Sequence, residues 1–127
     1  MSNSRASSSP VHILVVTTYK ILGQVIKQFL EEANYSVELA DGGQEALFKF
    51  MENRSKYAVV ITDNLMTDMT GPEVAEFIER RDRKMPIIIL SGTLETLPPN
   101  AHYMVKKPFT PDELCKAVQV AIAGKAG

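Results

Sequence analysis

Three short, nearly unbroken apolar runs limit what this chain can fold into: VHILVV (11–16), AVVIT (58–62) and PIIIL (86–90). All three are rich in Val or Ile and do not alternate with polar residues, the pattern of parallel strands covered on both faces. SVELA (36–40) does alternate, as a more exposed edge strand would, and HYMV (102–105) gives a weaker fifth strand. Between the runs lie amphipathic stripes. Ile21, Leu22, Val25, Ile26, Phe29, Leu30 and Ala33 form the first, Ala46, Leu47, Phe50 and Met51 the second, and Val74, Ala75, Phe77 and Ile78 the third. Leu114, Ala117, Val118, Ala121 and Ile122 form the last, which opens with Thr110, Pro111 and Glu113 in the spacing of a capping box. Strand and helix in alternation imply an α/β fold, a doubly wound five-stranded parallel sheet in three layers.

One crossover is too short for this scheme. SGTLETLPPNA (91–101) is broken by Pro98-Pro99, whereas a parallel crossover usually needs about a dozen residues or more. Only residues 94–97 can turn helically before the prolines. The fourth helix is therefore expected to be about one turn or absent.

At 127 residues the chain is one domain, able to bury roughly two thirds of its unfolded surface. A net charge of −1 offers no electrostatic case for nucleic acid or an anionic membrane. The single cysteine, Cys115, excludes an internal disulfide and suits a reducing, cytoplasmic setting. No apolar stretch approaches the roughly 20 residues that cross a bilayer. MSNSRASSSP is too polar for a secretory signal. Residues 1–10 are expected as a disordered tail, 11–123 as the folded domain and 124–127 as a frayed end.

Few polar groups follow the strands: Thr17 and Thr18 after the first, Asp63 after the third, Ser91 after the fourth and Lys107 after the fifth. In an open parallel sheet those ends converge on one crevice. A lone Asp after a strand is ordinarily a turn or cap residue. A lysine and a hydroxyl at matching strand ends change that expectation.

ITDNLMTDMTG, ILSG and VKKPF resemble the receiver domain of two-component response regulators, over residues 11–123. The family's third-strand motif, Asp-x-x-Met-Pro-x-Met-x-Gly, is matched by Asp63, Met66, Met69 and Gly71, with Thr67 in place of the proline. Ser91 matches the fourth-strand Ser/Thr, and Lys107-Pro108 the Lys-Pro pair whose peptide is usually cis. The resemblance implies a flavodoxin-like sheet of order 2-1-3-4-5, with Asp63 as phosphoacceptor, Ser91 as hydroxyl donor and Lys107 as the phosphate-pairing cation. It also implies a histidine kinase or phosphotransfer protein as donor, and a protein partner downstream. Where the family holds Mg²⁺ with a pair of acids, this chain has Thr17-Thr18. The aromatic that moves with the Ser/Thr aligns with Met104, and Tyr103, one residue early, should face the other way. The short segment after Ser91 removes much of the face that receivers use for output. The chain thus resembles an atypical receiver.

One carboxylate, Asp63, and one ammonium, Lys107, leave the crevice with no charge to recruit a cation. A metal is offered Asp63, the Leu65 backbone carbonyl by analogy with the family, and at best a water-mediated Thr18 hydroxyl, whereas Mg²⁺ demands octahedral oxygen ligands. Weak Mg²⁺ binding and slow phosphorylation are expected, with no enzymatic activity beyond Asp63 itself. A second reading keeps the fold as a phosphorylation-independent interaction module. A third, a flavodoxin-like redox protein, fits poorly: TTYKILG lacks an early glycine to close on a phosphate, and the chain has no Trp. His12 and His102 are too isolated for a metal site, and Cys115 lacks a base and is read as a packed thiol.

Overall fold

The apolar runs become the central strands of a five-stranded parallel sheet. The structure, a computed structural model, describes residues 10–93 and 96–126. In chain order the elements are β1 (His12–Val16), α1 (Lys20–Glu32), β2 (Ser36–Ala40), α2 (Gly43–Glu52), a 3-10 turn (Arg54–Lys56) and β3 (Tyr57–Asp63). They continue with α3 (Gly71–Arg81), β4 (Ile87–Ser91), β5 (Tyr103–Lys106) and α4 (Pro111–Ala126). The sheet order is β2-β1-β3-β4-β5, with every ladder parallel. Strand side chains alternate between two cores. Leu14, Val16, Val60, Ile87 and Ile89 meet Ala46 and Phe50 of α2 and Val74 and Ile78 of α3. Ile13, Val15, Ile61, Ile88 and Leu90 meet Ile26 and Leu30 of α1 and Leu114 and Val118 of α4.

Among the described residues no helix joins β4 to β5; Leu94 and Glu95, half of the turn expected there, lie outside them. His102 spans the gap instead, giving its N–H to the Ile87 carbonyl and accepting the Ile87 N–H at Nδ1, 3.1 Å away. The expected tail at 1–10 also falls outside, apart from Pro10. The last helix runs on to Ala126, past the expected boundary at 123, and β5 starts one residue later than HYMV. Two apolar stripes are wider than the faces they bury. Ile21 is 80% exposed, and Val25 and Met51 also face solvent, because they lie one row around the helix from the buried Ile26–Leu30 and Ala46–Phe50 rows. None of the described helices is long and apolar enough to cross a membrane.

At the edge strand β2, Glu38 bridges Lys49 and Lys56 and accepts the Tyr57 hydroxyl at 2.9 Å. Burial pushes the Glu38 carboxyl up, but the bonds from Lys56, Tyr57 and Lys49 outweigh it and leave the group below its usual range. Tyr57 is correspondingly driven up, first by burial and then by Glu38.

The segment after β3 is closed on itself. Gly71 donates its N–H to the Asn64 carbonyl at 2.7 Å, Leu65 bridges Thr70, and Thr70 with Glu73 forms the capping box that starts α3. Gly71 has no room for a side chain, since a Cβ there would lie 2.6 Å from the Asp63 carbonyl oxygen. The far end of the segment is tied to α2. Gly42, at φ +103°, is the N-cap of α2 and has no side chain to cap with, so Asp68 takes its place, accepting from the N–H groups of Gly43 at 3.0 Å and Gln44 at 2.8 Å. The Gln44 bond, joined by that of Gly43, holds the Asp68 carboxyl below its usual value against a smaller upward push from burial.

Replacing Gly71 with Ala forces the α3 start away from the Asp63 backbone and is expected to cost about 1–3 kcal/mol, read by urea denaturation. Asp68→Ala removes the cap of α2 and is expected to cost about 1 kcal/mol. Because the folded carboxyl is depressed, that stabilisation is complete above the ordinary value of 3.8 and disappears as pH falls through the lower folded value. Wild type and Asp68→Ala should therefore converge in stability below that range.

Candidate functional site

The register of β1 on β3 determines which threonine reaches Asp63. Val16 pairs with Thr62, so the next residue, Thr17, stands level with Asp63. Thr17 is buried and its Oγ1 donates to Asp63 Oδ2 at 3.1 Å. The same Oγ1 accepts the Tyr19 N–H at 3.1 Å. Thr18, the residue expected beside a metal, is half-buried and does not line the crevice around Asp63. Alternation along an extended chain lets only one of two neighbours face the site, and here it is the first.

Asp63 is 1% exposed. Lys107, from the end of β5, reaches its Oδ1 at 2.5 Å and is 31% exposed. The Asn64 N–H also donates to Oδ1, at 3.1 Å. Both carboxylate oxygens are thus engaged, as a buried charge requires. Ser91 is buried at the end of β4, and its Oγ accepts the Thr93 N–H at 3.1 Å and a longer contact from Asn64 Nδ2 at 3.5 Å. The Lys107 N–H donates to the Ser91 carbonyl, 3.0 Å away, and the Lys107–Pro108 peptide is cis.

These groups line a crevice of about 210 Å³, with Tyr19, Leu65 and Gly92 completing its wall. The Tyr19 ring centroid lies 5.9 Å from Lys107 Nζ. The structure therefore brings Asp63, Ser91, Lys107 and Leu65 together. Met104 stands apart. It pairs with Ile89 in the β4–β5 ladder and lines a separate groove with Tyr103, Lys106, Pro108 and Val120; Tyr103 also packs against the core formed with α1 and α4. Sequence reasoning missed Asn64, Tyr19 and Thr93. The only available signal was adjacency, since each lies one or two residues from a group already singled out.

A divalent cation would find one carboxylate here, already held by Lys107 and Thr17. Among the described residues no three His, Cys, Asp or Glu side chains gather as ligands. This donor set does not fit a tightly held Mg²⁺. Asp41 and Glu45 line a neighbouring hollow with Thr17 and Lys20, on the β2 side of β1. Burial and then the Asp112 charge push the Cys115 thiol up. Chemically, the crevice holds a fixed carboxylate, a cation beside it, and a hydroxyl at the adjoining strand end.

A family model of the response regulator receiver domain matches residues 13–119. The transcriptional regulatory protein SrrA of Staphylococcus aureus (strain NCTC 8325 / PS 47) is 29% identical over 116 residues, covering 87% of this chain and 47% of that protein. The chain thus spans about half the length of the curated relatives it matches. A receiver domain protein from Clostridium thermocellum superposes with a TM-score of 0.86 at 30% identity, over 91% of this chain and 97% of that one. The response regulator TrrA of Thermotoga maritima, crystallised in complex with Mg²⁺-BeF, superposes with a TM-score of 0.80 at 31% identity, over 87% of this chain and 98% of that one. With the sheet order, the strand-end residues and the matched span in agreement, the chain belongs to the response regulator receiver domain family.

Proposed function

We propose that Asp63 accepts a phosphoryl group from the phosphohistidine of a histidine kinase or phosphotransfer protein, slowly and with little help from Mg²⁺. The observation that supports this is the fixed Asp63 carboxylate with Lys107 on Oδ1 and only a hydroxyl, Thr17, on Oδ2. Attack on phosphorus forms the Oδ–P bond as the P–N bond breaks, and the imidazole leaves with the electron pair. Transfer of this kind is governed by positioning and by neutralising charge on the moving oxygens. Lys107 supplies the neutralisation, and the hydroxyls of Ser91 and Thr17 supply donors. The phosphoryl group adds about two negative charges against one ammonium. A charge pair at about 4 Å and an effective dielectric of about 20 is worth about 4 kcal/mol, equivalent to roughly three powers of ten in rate. A site without a well-held metal forgoes that much.

A second reading, a receiver that binds its partner without phosphorylation, draws on the closed Asp63–Lys107 pair, which is complete without a ligand. On that reading Ser91 and Met104 do not serve as a switch.

Incubation with a small-molecule phosphodonor, followed by intact mass, is expected to show a phosphoryl-sized gain that is lost in Asp63→Asn and changes little on adding Mg²⁺. No gain from either the small donor or a phosphorylated kinase domain would favour the second reading. Titration with Mg²⁺ is expected to show no saturation in the millimolar range, whereas Thr17→Asp with Thr18→Asp should saturate there. Tight Mg²⁺ binding by the wild type would contradict the proposed charge balance.

A further inference from the structure

We infer that Tyr19 covers the Asp63–Lys107 pair and sets the lifetime of a phosphoryl group on Asp63; the second half of this statement rests on the function proposed above. Tyr19 is 59% exposed, yet it lines the crevice that holds Asp63, Ser91 and Lys107. Its ring lies 5.9 Å from Lys107 Nζ, within the range of a cation–π contact. Its backbone is fixed at the same place by the bond from its N–H to Thr17 Oγ1, the hydroxyl that donates to Asp63 Oδ2. One hydroxyl therefore joins the cover to the carboxylate. A carboxylate at position 17 would have no proton to donate to Asp63, so this linkage depends on the threonine. Tyr19 is also the extended residue before α1, with φ −93° and ψ 103°. Its ring thus stands at the N-terminal end of a 13-residue helix.

The chemistry gives such a cover a purpose. An aspartyl phosphate is an acyl anhydride. Water attacks its phosphorus, the acyl O–P bond breaks with its electron pair returning to the Asp63 carboxylate, and inorganic phosphate leaves with the protons of the water. Lys107 is one-third exposed, and the open side of the crevice is where water must approach. A ring over the ammonium shields that side without touching the reacting atoms, which makes Tyr19 a positioning residue.

The test compares wild type with Tyr19→Ala and Tyr19→Phe in the full chain, using two readouts. The first is the rate at which a small amine reagent labels Lys107, mapped by peptide mass, with the exposed Lys84 and Lys116 as internal references. The second is the decay of the phosphoryl group on Asp63 after loading with a small phosphodonor. Tyr19→Ala is expected to speed both by several-fold, while Tyr19→Phe, which keeps the ring, matches wild type and the reference lysines do not change. Unchanged Lys107 labelling in Tyr19→Ala overturns the cover, and faster labelling with unchanged decay overturns its control of lifetime. Faster labelling in a protein that takes up no phosphoryl group supports the cover and counts against the proposed function alone.

Discussion

A carboxylate at the rim of an apolar core persists only if each of its oxygens is met, and the upper edge of this sheet is organised around that requirement. Asp63 sits at the end of a strand whose other residues pack on both faces. Lys107 and the Asn64 amide meet one oxygen, and Thr17 meets the other. These partners come from the ends of β5, β3 and β1, so the carboxylate ties together three of the five strands. Removing one partner from such an arrangement leaves an uncompensated buried charge, which costs far more than the bond itself is worth.

The loop that carries Leu65 is held as firmly as the carboxylate beside it. Gly71 fits its backbone against Asp63 at one end, and at the other Asp68 caps a helix that belongs to a different crossover. The two ends serve different needs, close approach in one case and unsatisfied helix N–H groups in the other. The result is a rigid turn immediately beyond the site.

The main elements were legible because burial on both faces leaves an unmistakable record in β1, β3 and β4, and because Thr110 and Glu113 signal the start of the last helix in a form that the structure reproduces. The opposite facing of Tyr103 and Met104 followed from parity alone. What was not legible depends on how segments meet. The choice between Thr17 and Thr18 follows from the register of β1 on β3, a relation between residues 46 positions apart. The role of Asp68 depends on Gly42 lacking a cap of its own. Ile21 and Val25 read as core because a helical stripe shows only which side is apolar, not how much of it the sheet is wide enough to cover. The tight segment between β4 and β5 was visible from its prolines, yet the His102 contacts that bridge it were not.

That short segment also shapes how the site is assembled. Ile88 and Tyr103 pair across β4 and β5 at a separation of 15 positions, while Ile61 and Ile88 pair across β3 and β4 at 27. Closing the shorter loop costs about 0.5 kcal/mol less entropy, and local pairings form readily. Ser91 and Lys107 are therefore brought together by the most local strand pairing in the molecule. Thr17 and Asp63 are joined by the most distant one, Ile13 with Val59. Half of the crevice rests on the most local strand pairing, whereas the contact of Thr17 with the carboxylate spans the longest loop in the sheet.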